Sequence, residues 1–513
     1  SVQVSVGAGS AINLTADGAA TLSGNDVNSV TISGTQADIN TTLASLKYTS
    51  QVGITTDTLT VLATDGTALT DTDPLTININ NPPVNTLPGS QTVIEAAQTL
   101  ISGISVADVN TNVTSVQVSV GAGSAINLTA DGSATLGGNN TNSVTISGTQ
   151  AEINATLASL QYTSQVGITS DTLTLLATDG TTLTDSDPLT ITINNPPVNT
   201  LPGSQTVIEA TQTPINGLSV ADLNTNLTSV LVSVGAGNAI NLTTGGAATV
   251  LNNDTATVTI TGTQADINTT LASLKYTSQV GITSDTLTVL STDGTTLTDS
   301  DPLTITINNP PVNILPGPQT VNEATQTAIN GLSVGDANTN LTSVQVSVGT
   351  GSAINLIAAG GATLSGNNKD SITISGTQAD INATLASLKY TSQAGITTDT
   401  LTVLSTDGTT LTDSDPLTIN INNPPVNTLP GTQTVDEATQ TAISGVSVAD
   451  VNTDLSTVQV SVGAGSAINL TASGTATVNN NDTATVTVIG NQTDINATLT
   501  TLKYTSQAGI TTD

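Results

Sequence analysis

The chain has no cysteine, methionine, phenylalanine, tryptophan, histidine or arginine, and each absence closes off a class of protein. Without cysteine there is no disulfide framework. Without histidine or cysteine there is no transition-metal site of the usual kind and no Ser-His or Cys-His nucleophile pair. Paired carboxylates can cleave glycosides, but a platform for sugar rings is hard to build without tryptophan or phenylalanine. Positive charge is nearly missing too: five lysines stand against 38 acidic residues, for a net charge of -33. That balance opposes binding to nucleic acid or to an anionic membrane surface. No run of 18 apolar residues occurs, so no membrane insertion is expected. The chain opens on Ser1 without a signal sequence, which reads as an internal or processed stretch of something longer. Lack of thiols, with few sites for trypsin-like proteases, points to an extracellular location.

What is present is a repeat. Ser-Val-Gln-Val-Ser-Val begins at Ser1, Ser115 and Ser343, with variants at Ser229 and Thr457; Tyr-Thr-Ser-Gln begins at Tyr48, Tyr162, Tyr276, Tyr390 and Tyr504. The period is 114 residues throughout, the size of one domain, so a tandem array of folded units is expected. Repetition also argues against catalysis, and no catalytic residue is assigned. Asn-Asn-Pro-Pro-Val-Asn recurs at Asn80, Asn194, Asn308 and Asn422; its two prolines end a strand and stiffen the connector. Boundaries placed there divide the chain into 1–81 (partial), 82–195, 196–309, 310–423 and 424–513 (partial).

Within a unit, apolar and polar residues alternate, as in Val2-Gln3-Val4-Ser5-Val6 and Leu75-Thr76-Ile77-Asn78-Ile79, and Gly- or Asn-rich turns separate such runs. This predicts an all-β fold, an antiparallel β-sandwich of roughly seven to nine short strands. One segment differs. Thr35-Gln36-Ala37-Asp38 reads as a capping box, followed by Ile39, Leu43 and Leu46 on one helical face. A short helix from about Gln36 to Leu46 is predicted, plugging one edge of the sandwich, with counterparts at Thr149, Thr263, Thr377 and Asn491.

The acidic residues have a phase. If Leu303–Ile307 pairs with Thr286–Leu290 as a hairpin, the loop carrying Asp293, Asp299 and Asp301 faces the preceding unit. By the same counting the loop with Asp222 and Asn224 lies at that end, where the connector enters at Asn195. The same phase gives Asp108, Asn110, Asp179, Asp185 and Asp187 in one neighbour, and Asn309, Asp336, Asp407, Asp413 and Asp415 in the other. Oxygen ligands in such number suit Ca²⁺, which takes six to eight. Asp and Asn also populate turns for their own Asx chemistry, and both readings stand.

The unit resembles the cadherin-like or immunoglobulin-like repeats of giant, type I-secreted bacterial surface adhesins. The resemblance lies in Gly-Thr-Gln-Ala-Asp-Ile-Asn-Ala-Thr-Leu-Ala-Ser-Leu-Lys-Tyr-Thr from Gly376, the Asp-Thr-Leu-Thr-Val strand, Thr-Asp-Ser-Asp-Pro before the last strand, and the Glu-bearing strand Val321-Asn322-Glu323-Ala324. It implies Ca²⁺ at the junctions and a stiff stalk or fibre at a bacterial cell surface. Partners would be neighbouring repeats, other copies of the chain, and a surface or matrix. Lateral assembly into a filament, sheath or surface layer is one alternative; repeated glycan- or protein-binding modules are another. The chain departs from that family where Asn81, Asn195, Asn309 and Asn423 replace an acid, and where Asn110 and Asn224 follow Asp108 and Asp222. Two lost charges per junction should weaken Ca²⁺ binding.

Overall fold

The computed structural model describes residues 1–513. The unit from 196 to 309 serves as reference. Its elements are β1 (Val198–Thr200), β2 (Gln205–Ile208), β3 (Thr213–Pro214), β4 (Ser219–Ala221), β5 (Leu227–Ser233), β6 (Ala239–Asn241), β7 (Thr249–Leu251), β8 (Thr257–Thr261), α1 (Gln264–Leu271), β9 (Lys275–Thr277), β10 (Ser284–Asp293) and β11 (Thr298–Asn308). One layer is a six-stranded sheet in the order β2-β11-β10-β5-β8-β7. The facing layer consists of the sheet β3-β9-β6 and the pair β1-β4. The expected all-β tandem array of sandwiches, each with one short helix, is what the structure shows.

One strand departs from the antiparallel expectation. β2 pairs parallel to β11, with Val207 opposite Ile307. Chain direction imposes this: β2 has just left the incoming connector, and β11 runs towards the outgoing one. Two neighbours that both travel from one junction to the next must run the same way. The remaining pairs of the sheet are antiparallel.

The alternation predicted from sequence fills the core. Val230, Val232, Val258, Ile260, Leu287, Leu303, Ile305 and Ile307 point inward from the large sheet and meet Val220, Ile240 and Tyr276 of the facing layer. The buried apolar residues of Val93–Ile193, Val207–Ile307 and Val321–Ile421 form three separate clusters. Each fully buried aliphatic side chain contributes ~1.5–3 kcal/mol.

The helix is shorter than predicted, ending at Leu271 because Ser273 and Leu274 fold back in a tighter turn onto Thr270 and Leu271. Its counterparts begin at Gln36, Gln150, Gln378 and Gln492. Thr263 caps it, accepting from the Asp266 amide at 3.3 Å. The complete box, with the acid reaching back to the cap's backbone amide, forms only at Thr149, where the acid is Glu152. Aspartate is one methylene shorter and instead accepts from the threonine hydroxyl, 2.8 Å at Asp266. As expected, the helix covers a sheet edge. The Asn268 carboxamide takes the Val220 N–H and donates to the Val220 carbonyl, both at 2.8 Å, substituting for a missing strand beside β4.

The single aromatic of each unit is also its main buried polar anchor. The fully buried Tyr390 donates to Asp399 Oδ2 at 2.7 Å, and the amides of Gly349 and Thr400 donate to Asp399 Oδ1. Tyr390→Phe keeps the apolar ring but removes a donor from Asp399. We expect destabilisation by about 1–2 kcal/mol in urea unfolding followed by intrinsic tyrosine fluorescence and circular dichroism.

The same pairs set a pH window. Burial pushes Tyr162 and Tyr390 above the usual phenol range, and their bonds to Asp171 and Asp399 add to this. Burial works against ionisation of Asp171 and Asp399. Hydrogen bonds from Ser124 or Ser352, the tyrosine and two amides outweigh it, and both carboxyls lie below their ordinary value. The aspartate contribution to stability is full above pH ~4 and is lost as pH falls through the lowered folded pKa; the tyrosine contribution is full below pH ~10 and is lost as pH rises through the raised one. Thermal melting should therefore show a plateau between these limits and a fall on both sides.

Candidate metal centre at the unit junctions

The connector crosses from one unit to the next as Asn194-Asn195-Pro196-Pro197, and the prolines leave Asn194 and Asn195 to supply the hydrogen bonds. Asn194 Nδ2 donates to Asp293 Oδ2 at 2.7 Å and to Thr295 Oγ1 at 2.5 Å. The Asn195 backbone amide donates to Asn224 Oδ1 at 2.7 Å, and Asn224 Nδ2 donates to the Ile193 carbonyl at 2.8 Å. Asn195 Nδ2 turns back to Glu95 Oε1 of the preceding unit at 2.8 Å. Glu95 also accepts from the Gly167 amide, which ties a loop of the preceding unit to the joint.

Local structure explains how these groups arrive. Asp222 follows β4 and accepts from the Asn224 amide at 2.8 Å, closing an Asx turn. The first helical residue, Gln264, holds that turn in place by accepting from the Asp222 amide at 2.8 Å. Asp293 ends β10 and accepts from the Thr295 and Leu297 amides, both at 2.8 Å, forming the turn to β11. The junction at Asn308-Asn309 repeats the pattern through Asp407, Asn338 and Glu209, with bonds of 2.7 Å from Asn308 to Asp407, from Asn309 N to Asn338, and from Asn309 Nδ2 to Glu209. At Asn80-Asn81 the partners are Asp179 and Asn110.

Of the residues singled out from sequence, the structure brings Asp222, Asn224, Asp293 and Asn195 together, with Asp108, Asn110 and Asp179, and Asn309, Asp336 and Asp407, in the same places at the flanking junctions. Asp299 and Asp301 are not in the junction loop. β11 begins at Thr298, so both lie on a strand and face inward, and Asp299 Oδ2 accepts from the Asn199 amide of β1 at 2.7 Å. Asp185 with Asp187 and Asp413 with Asp415 sit likewise on strands. The hairpin is longer than its apolar run because polar residues continue the alternation beyond it. The sequence places Asn194 and the loop ending at Asn226 at this end, but does not mark either residue as a ligand. Their signal is present in the first Asn of each connector and in the Asp-x-Asn-x-Asn spacing.

Asn226 exposes a shortage of donors. It lies between Asn194 and Asp222, completing a chain Asp222–Asn226–Asn194–Asp293. In one orientation its amide donates to Asn194 Oδ1 at 2.9 Å; turned over, it donates to Asp222 at 2.9 and 3.0 Å. With a carboxylate at each end and two amides between, one acceptor always faces another. Asn112 and Asn340 are in the same position. The two carboxylates differ accordingly. Asp293 is drawn below its ordinary value because donation by Asn194, Thr295 and Leu297 outweighs its burial, whereas burial and the nearby Asp293 charge raise Asp222. Asn195 Oδ1 and Asn309 Oδ1 are buried without any partner. A cation among these oxygens would relieve both the surplus of acceptors and the burial of charge, so the donor set fits Ca²⁺ chemically. No cluster of three or more acidic side chains is present, so amide oxygens would have to complete it.

No protein-family model matches the chain, and no curated protein matches it. Solved structures do align. Extracellular cadherin domains 1–4 of protocadherin gamma B7 match at 12% identity and a TM-score of 0.29, covering 80% of this chain and 91% of theirs. An I-band fragment of titin matches at 10% identity and a TM-score of 0.27, covering 67% and 100%. Extracellular cadherin domains 1–5 of protocadherin gamma B2 match at 12% and 0.25, covering 82% and 73%. At these scores the likenesses carry no weight beyond the architecture the strands already display.

The joint should loosen when its reach-back is cut. Glu209→Ala removes the acceptor for Asn309 and Gly281 while leaving β2 paired. We expect a wider distribution of bend angles at that one junction in negative-stain images of the full chain, with its melting temperature changed by no more than a few degrees.

Proposed function

We propose that the chain is a non-enzymatic spacer, a stiff stalk segment of an extracellular, bacterial surface adhesin, divided into units at Pro82, Pro196, Pro310 and Pro424. The observation that carries this reading is the sameness of the joints: the second and third connectors make the same hydrogen bonds to the same phase of the next unit, within about 0.1 Å, and the first and fourth repeat the backbone bond to the asparagine of the Asx turn. Equal joints give equal bend and rotation from one step to the next, as a regular rod needs. At ~35–40 Å per compact unit of this size the segment would reach roughly 150–180 Å. Small-angle scattering tests this directly: a maximum dimension near that length supports a stalk, and one below about 100 Å would rule it out.

Ca²⁺ at the joints belongs to the same proposal. Asp222, Asp293, Asn194, Asn195 and Asn226 would hold it, with Asp108, Asp179, Asp336 and Asp407 serving the flanking joints. Bound there, the ion would supply positive charge to a donor-poor chain of oxygens and lock the loops of two units together. Only two carboxylates belong to this ligand set at each joint, so millimolar affinity is expected. The melting temperature of the full chain should rise by several degrees between chelator and 10 mM Ca²⁺, and the shift should vanish in Asp222→Asn/Asp336→Asn/Asp108→Asn. No shift in the unsubstituted chain would remove the ion from the proposal and leave the hydrogen-bonded rod.

A further inference from the structure

The outer face of the six-stranded sheet inverts the usual distribution of charge. In sheets that face water, charged side chains normally stand outward and keep chains apart. Here the charged residues of the sheet point the other way. In β10 and β11, Asp285, Asp293, Asp299 and Asp301 share the phase of the buried Leu287, Val289, Leu303 and Ile305. The outward phase carries Thr286, Thr288, Thr304 and Thr306, continued on β5 by Ser229 and on β8 by Thr259. Half-buried Leu290 and Leu231 lie among them, with exposed Leu251 at one edge and Ile208 at the other, and no strand of the sheet places a charged residue outward. The flanking units repeat the arrangement with hydroxyls at Thr172, Thr190, Thr400 and Thr418.

We propose that this face is the contact through which a second copy of the chain packs side by side. Three features select that occupant. Each chain carries a net charge of -33, so two copies can approach closely only along a surface without acids. A hydroxyl both donates and accepts, so a hydroxyl-covered face is complementary to itself under the two-fold relation that pairs like surfaces. The area also fits. Six strands ~4.8 Å apart and averaging about seven residues make a face of roughly 600 Å² per unit. That falls short of the ~800 Å² per partner of a stable complex, while three complete units together reach about 1,800 Å². A single unit would stay monomeric and the array would pair by summed weak contacts. The invariant 114-residue period then acquires a second role: an insertion in any unit would throw every later face out of register with the neighbouring chain. This inference needs only the tandem order of units from the stalk reading; loss of pairing would leave single-chain stiffness intact, so the two fail separately.

The test is sedimentation of the full chain at 1–100 µM in low and in physiological salt. We expect dimers or larger bundles that strengthen as salt screens the repulsion between chains. Thr190→Glu/Thr304→Glu/Thr418→Glu puts one carboxylate on each of three faces and should weaken association at least tenfold. Ala155→Glu/Thr269→Glu/Ala383→Glu adds the same charge on the exposed side of the helices and should leave it unchanged, with circular dichroism confirming that both variants fold. Three results would overturn the proposal: a monomeric chain at 100 µM in 150 mM salt, equal loss in both variants, or a monomer that instead adsorbs through this face to a crystalline polysaccharide or to ice.

Discussion

A carboxamide donates through its N–H₂ and accepts through its carbonyl oxygen, side by side in one plane, and the continuity of this chain from unit to unit depends on that property. Asn194 and Asn195 sit where two prolines have removed backbone donors, so side chains must do what a continuing strand would do. Asn195 reaches backward to Glu95 while its backbone reaches forward to Asn224, and Asn194 reaches forward to Asp293. Two rigid bodies joined by a single chain crossing would otherwise pivot freely. Hydrogen bonds at fixed distances on both sides of the crossing convert the pivot into a step of defined angle.

The same chemistry leaves the joint one donor short. Carboxylates end the chain Asp222–Asn226–Asn194–Asp293, and two amides cannot satisfy two acceptors and one another together. Burial and the neighbouring Asp293 charge raise Asp222, while the donors on Asp293 lower it, so the two ends of the chain differ. With asparagines rather than acids along the connector, fewer carboxylates call for a cation, and the surplus acceptor remains. A joint of this composition is held by hydrogen bonds, and the ion proposed for it would sharpen the joint rather than create it.

How much of this is legible in the sequence depends on how locally each feature is encoded. Inward valines and isoleucines alternate strictly, so the sandwich is legible, and the threonine cap with Ile267 and Leu271 places the helix to within a turn. Its early end is not legible, because it comes from the tight turn at Ser273 and Leu274. The parallel placement of β2 comes from where its ends must lie in three dimensions, which periodicity does not record. Asp299 and Asp301 are misplaced by sequence for a related reason: a polar residue in a strand looks like a loop residue until its partner, the Asn199 amide, is known. Asn226 is marked locally only by the Asp-x-Asn-x-Asn spacing, and its importance lies in a contact across the joint.

Those inward acids connect the joint to the surface. Asp299 faces inward because it anchors β1, the strand that has just left the connector, and Asp293 does so because it receives Asn194. The requirements of the joint thus draw carboxylates to one side of β10 and β11. Alternation then forces their neighbours outward, and those neighbours are threonine and serine. An acidic protein acquires an uncharged face as a geometric consequence of how its units are tied end to end. Length along the fibre and contact between fibres are, on this view, two outcomes of one strand pattern.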